Sequence, residues 1–184
     1  MKKFIFTIFV FFIFTGSGSA ITIKGVTLPE KLTVNKTKCY LNGAGVRKKF
    51  FFSIYVIGLY LPEKMSDAEK IINLNNNKAV LMVFTYHKIS PKKIQNAWKE
   101  GFEKNNYYES LKDQVDKFNS FFDKEVHKGD KYFLTYSPEN GTCVYINDNK
   151  KGCIKGEQFM NGLFSIWLGD NPISKGLKKK LLGK

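Results

Sequence analysis

Asn42-Gly43-Ala44-Gly45-Val46-Arg47-Lys48-Lys49-Phe50-Phe51-Phe52-Ser53-Ile54-Tyr55-Val56-Ile57-Gly58-Leu59-Tyr60-Leu61 is the stretch on which the reading of this 184-residue chain turns. Asn42 to Gly45 reads as a turn, and the run from Val46 to Leu61 then alternates with period two. Arg47, Lys49, Phe51, Ser53, Tyr55, Ile57 and Leu59 fall on one face, with Phe50, Phe52, Ile54, Val56 and Tyr60 on the other. Both sets are largely apolar. That pattern suits a central strand, bent at Gly58, with at least part of both faces covered.

Arg47 is the exception, a guanidinium at the start of an otherwise interior strand. Tyr55 follows at an even separation, so the two side chains share a face and flank one cleft. Arginine binds carboxylates or enolates in a two-pronged way, and a tyrosine can donate a further hydrogen bond to the same oxygen. The competing reading is a rim arginine that snorkels beside Lys48 and Lys49.

Upstream, Ile21-Thr22-Ile23 and Leu32-Thr33-Val34 are short strand-like alternations separated by Pro29. Before them, Met1-Lys2-Lys3, the Ile/Phe-rich run Phe4 to Phe14 and the small residues Gly16 to Ala20 have the order of a secretory signal peptide. The expected division is a leader over 1–20 and one domain over 21–184, periplasmic or secreted after cleavage; an uncleaved anchor is the alternative. Losing Lys2 and Lys3 and no acid takes the formal charge from +14 to +12. Outside the cytoplasm such a surface meets anionic envelope lipid or acidic ligands rather than nucleic acid.

Downstream, Ser66-Asp67-Ala68-Glu69 reads as a capping box opening a short helix, and Ala79 to Tyr86 as a strand. Ser90-Pro91 starts a helix whose Ile94, Ala97, Trp98 and Phe102 repeat at helical spacing; Leu111, Val115, Phe118 and Phe122 mark a second. Strands return at Lys131 to Tyr136, Thr142 to Asn147 and Gly152 to Lys155. A mostly apolar helix from Phe159 to Trp167 and a short one after Ser174 complete the chain. This order argues for an α+β domain, an antiparallel sheet with helices on one side, in which Trp98 and Trp167 are largely buried.

The familiar enzyme signatures are missing: no nucleophile elbow, no phosphate-cradling glycine loop, no His-Glu-x-x-His. His87 and His127 stand alone, so no metal or cofactor is expected. Cys143 and Cys153 flank a hairpin whose register the sequence leaves open, as a disulfide or as buried thiols beside Cys39.

Asn42 to Lys49 followed by Tyr55 to Leu61 closely resembles the chalcone isomerase-like family, and Lys128-Gly129-Asp130 and Ser165 to Asp170 look like its bacterial secreted branch. The resemblance runs from about Ile21 to Leu182. It implies an open-faced β-sandwich, a long antiparallel sheet under a layer of helices, with a ligand cleft between. In the family's plant enzymes a chalcone cyclises to a flavanone while an arginine stabilises charge on the ketone oxygen. Arg47 matches that arginine, which contacts fatty-acid carboxylate in the plant fatty-acid-binding branch. The plant enzymes' threonine falls at Tyr55, and the helix that supplies their tyrosine, lysine and asparagine reads Ser90 to Asn96, where Lys93 and Asn96 come nearest. Ser165 lies near the family's hydroxyl on the late helix.

These departures argue against flavonoid cyclisation. The expectation is therefore non-catalytic binding of a small apolar acid, fatty-acid-like, with Arg47, Tyr55, Asn96, Trp98, Ser165 and Trp167 contacting it. Phe51, Ile57, Trp98, Phe102, Phe164 and Trp167 would wall the cleft. One alternative is an isomerase, an intramolecular lyase acting on an enone or related carbonyl through Arg47 and Tyr55. Another is a basic envelope-interaction protein with a vestigial cleft.

Overall fold

The computed structural model describes residues 20–184, so the leader expected over 1–20 lies outside the described residues except for Ala20. Strands β1 (Ala20–Ile23) and β2 (Val26–Pro29) form a hairpin of their own. Then come β3 (Lys31–Val34), β4 (Thr37–Lys49), β5 (Phe52–Leu61), α1 (Ala68–Asn73), β6 (Lys78–Phe84) and β7 (Lys88–Ile89). Helix α2 (Pro91–Lys104) and, after a 3-10 turn at Glu109–Leu111, α3 (Lys112–Ser120) lead to β8 (Val126–His127). Strands β9 (Lys131–Ser137), β10 (Gly141–Ile146) and β11 (Asn149–Ile154) precede α4 (Glu157–Leu168) and α5 (Lys175–Leu181). Seven strands make one sheet in the order β11-β10-β9-β6-β5-β4-β3, and every neighbouring pair is antiparallel. The α+β reading holds.

The helical layer packs on one face of the sheet. Tyr55, Ile57, Leu59 and Leu61 of β5, Val80, Met82 and Phe84 of β6 and Leu134 of β9 meet Trp98, Phe102, Phe118, Phe159 and Leu163 in one large core. The opposite face is covered in part: Leu28 from the β1–β2 hairpin packs on Val56 and Val83, and Val34, Cys39, Tyr60 and Ala79 form a further cluster.

The long strand expected from Val46 to Leu61 is instead two strands. Lys49 pairs with Phe52, and the chain reverses through Phe50, whose φ is +54°, and Phe51. Alternation survives on both limbs of a hairpin, so periodicity alone cannot reveal a two-residue reversal, and no glycine, asparagine or proline marks this one. Arg47 and Tyr55 do share a face, but as direct partners across the β4–β5 pair. A bulge at Ile54 sets that register.

Asn42 to Gly45 is likewise no turn; it lies inside β4, where α5 rests on the sheet. A Cβ on Gly43 would come within 2.2 Å of the Lys180 carbonyl oxygen, and one on Gly45 within 2.7 Å of Leu177 Cδ1. Glycine is needed for this backbone approach. The Asn42 amide donates to the carbonyls of Leu181 and Met65, each at 2.8 Å, and its oxygen accepts from Met65 N at 2.7 Å. At α1 the cap is Asp67 rather than Ser66, its carboxylate accepting from Lys70 N at 3.1 Å.

Cys143 and Cys153 are direct partners in the β10–β11 pair and form a disulfide; Cys39 is free and buried. Asn147 and Asp148, at φ of +49° and +66°, make the reversal between those strands.

Candidate functional site

A cleft of about 490 Å³ opens between the β4–β5–β6 end of the sheet and helix α2, within the size range of small-molecule sites. The sheet supplies its floor: Arg47 from β4, Ile54 and Tyr55 from β5, Met82 and Phe84 from β6. Helix α2 supplies the facing wall with Ile94, Ala97 and Trp98, and Ile166 and Ile173 close the inner end. The period-two and helical repeats converge here because both elements turn apolar residues toward the same space.

The polar groups are few and mostly cationic. Arg47, Lys49, Lys88, Lys93 and Lys104 line the cleft against one carboxylate, Glu100. Glu100 is taken by Lys104 at 2.7 Å, and its carboxyl is held below the usual range first by that hydrogen bond and further by the charges of Lys104, Lys49 and Arg47. Lys88 pairs with Glu125 at 2.9 Å. Among the described residues Arg47 has no carboxylate partner and donates only to the carbonyl of Lys48.

Tyr55 stands directly opposite Arg47. Its hydroxyl oxygen accepts a hydrogen bond from Trp167 Nε1 at 3.1 Å. Burial pushes the phenol up to about 12, with the Trp167 bond and the Arg47 charge opposing, so it stays protonated at neutral pH. With its oxygen engaged by the indole, its own proton has no acceptor among the described residues. Arg47 and Tyr55, partners across the β4–β5 pair, thus both line an otherwise largely apolar cavity, one as a cation and the other as a protonated phenol.

Of the six residues expected at the ligand, Arg47, Tyr55, Asn96 and Trp98 line this cleft. Trp167 stands behind it as the donor that fixes Tyr55, and Ser165 is buried within α4, donating back to Asn161 O at 2.7 Å. Trp98 and Trp167 are 5% and 1% exposed, buried as expected. The expected wall is redrawn. Phe51 sits at the hairpin tip, 99% exposed, because the chain reverses there; Ile57, Phe102 and Phe164 are consumed by the core between sheet and helices. The wall residues Met82, Phe84, Ile94, Ile166 and Ile173 were not assigned to the cleft from the sequence, where nothing separates an apolar side chain facing a cleft from one facing core.

A second cation, Lys78 at the start of β6, also escaped notice. It is fully buried, its ammonium donating to the carbonyls of Ile71 and Ile72 at 2.6 and 2.8 Å, at the end of α1. It lies 4.7 Å from the Phe164 ring centroid. Burial pushes the amine down to about 7, with the Glu157 charge opposing.

A family model described as chalcone isomerase-like matches residues 20–183. No curated protein sequence matches this chain. The crystal structure of an Arabidopsis thaliana fatty-acid binding protein is similar in fold, with a TM-score of 0.74 and 16% identity over 89% of this chain and 96% of that chain.

Proposed function

Because the chain belongs to the chalcone isomerase-like family, we propose that it binds a small apolar acid of the fatty-acid kind in the cleft between sheet and α2, and leaves it chemically unchanged. The observation that carries this reading is the pairing of Arg47, without a carboxylate of its own, with a protonated Tyr55 at the polar end of an apolar cavity. Two donors on adjacent strands match one carboxylate, and the aliphatic tail fills the space bounded by Met82, Phe84, Ile94 and Ile166. The further cations of the rim, Lys49 and Lys93, favour an anion over its neutral ester. That a structural neighbour at 16% identity is a fatty-acid binding protein agrees with the reading as analogy of fold.

The lack of a free carboxylate or histidine among the described lining groups favours binding over catalysis. Glu100 is engaged by Lys104, and Tyr55 keeps its proton, so neither accepts one from a substrate. Titration of the purified protein with decanoate and with methyl decanoate tests the reading: the acid binds and the ester binds much less. Equal binding of both, or turnover of a hydroxychalcone, overturns it.

The site of action we propose is the periplasm or the exterior. The leader-like start and the Cys143–Cys153 disulfide support it. Protein isolated from the cell envelope should begin at Ile21, and an amino terminus at Met1 would refute cleavage.

A further inference from the structure

The β4–β5 hairpin ends in three consecutive phenylalanines with little cover: Phe50 is 85%, Phe51 99% and Phe52 57% exposed. Phe52 is braced edge-on against Tyr86, at 5.6 Å between ring centroids, so the tip is seated on the body of the protein. Phe50 occupies the left-handed region at φ +54°, where glycine or asparagine would be less costly, and its exposed ring gives no packing in return. Lys48 and Lys49 are exposed beside the tip, and Lys88, Lys93 and Lys104 lie around the adjoining cleft.

We infer that this tip docks on a bilayer carrying anionic phospholipid, Phe51 and its neighbours entering the headgroup region while Lys48 and Lys49 meet the phosphates. Exposed apolar side chains flanked by Lys48 and Lys49 have the two components that interfacial binding requires, buried area and attraction to negative headgroups. A second copy of the chain fits less well. Three phenylalanines offer at most about 600 Å², below the roughly 800 Å² per partner of a stable interface. Phe50 and Phe52 also line the cleft, so docking brings its mouth against the lipid. Docking stands without the proposed ligand; only its use for loading an acid directly from the bilayer rests on that reading.

Co-sedimentation with phosphatidylcholine vesicles, with and without phosphatidylglycerol, tests the inference on the mature chain. The variants are Phe51→Ser and Lys48→Gln, both outside the cleft lining, with melting curves as control. Wild type should bind the anionic vesicles and hardly the neutral ones. Phe51→Ser should weaken binding about tenfold or more and Lys48→Gln about fivefold. Anionic binding unchanged in Phe51→Ser, equal binding to both vesicle types, or no vesicle binding together with a dimer that Phe51→Ser abolishes would each overturn it. A parallel decanoate titration without vesicles separates the two proposals. If decanoate fails to bind while vesicle binding follows Phe51, docking stands and the ligand reading falls; if it binds while vesicle binding ignores Phe51, docking alone falls.

Discussion

Two cations sit on the helix-facing side of the sheet, about 20 Å apart along its strands, and the protein treats them in opposite ways. Lys78 is enclosed: two carbonyls accept its protons, an aromatic ring lies against it, and no water reaches it. Arg47 has a backbone carbonyl, a neighbouring phenol and an open cleft. A charge whose partners are all supplied by the fold works for the fold. One that lacks a counter-charge, beside a donor that also lacks an acceptor, is disposed to take its partner from outside. Fold and site can therefore be separated by substitution at these two positions.

The largest effect should come from Lys78→Ala, which leaves a cavity and removes the donors to Ile71 O and Ile72 O. A stability loss of about 3 kcal/mol is expected in denaturant titration, with decanoate affinity unchanged in the folded fraction. Arg47→Ala should do the reverse, weakening decanoate binding by roughly 1.5 to 3 kcal/mol while moving stability by less than about 0.5 kcal/mol. Arg47→Lys should not restore affinity fully, because an ammonium lacks the planar fork. If Arg47→Ala binds acid and ester as wild type does, the contrast collapses and Arg47 is a snorkelling rim residue.

A pH series sharpens the same comparison. The folded value of Lys78, about 7, lies below the ordinary amine value of 10.5, so across that window the unfolded chain binds the proton that the folded chain lacks. Stability due to this group should rise with pH between those limits, by roughly 1 kcal/mol per unit, and be least below about 7. Lys78→Met, which fills most of the volume without titrating, should lose that slope; a parallel slope in both proteins would show that Lys78 stays charged. The smallest effect belongs to Tyr55→Phe. It should cost about 1 kcal/mol of decanoate affinity, and a similar amount of stability because Trp167 Nε1 loses its acceptor. It is the one change that touches both columns of the comparison.

Legibility in the sequence followed the physics of each region. Helices α2 and α3 were visible because one-sided burial imposes a 3.6-residue repeat, α4 because a long apolar run is buried on most sides, and β9 to β11 because turn residues separate them. The β4–β5 reversal was hidden because phenylalanines occupy it. Gly43 and Gly45 misled for a related reason: glycine serves turns and close approaches alike, and only α5, far away in the chain, decides which. Arg47 and Tyr55 were legible as a pair, though through a strand geometry that does not exist. Lys78 was not, since nothing local distinguishes a lysine that caps a buried helix end from one in solvent. Cleft and core residues share one apolar alphabet, which is why four of the six expected wall residues, Ile57, Phe102, Phe164 and Trp167, belong to the core.

The seating of α5 on β4 also has a consequence in time. Asn42 and Leu181, whose hydrogen bond holds that contact, are 139 residues apart. A ribosome delivers β4 early and its cover only after every other described helix has emerged. Until then the glycine stretch of the sheet lies bare, and closure waits on a contact that spans most of the described chain, the kind that slows folding most. Completion of this fold therefore waits on α5, the last described helix to leave the ribosome, and until then the domain stays open along β4.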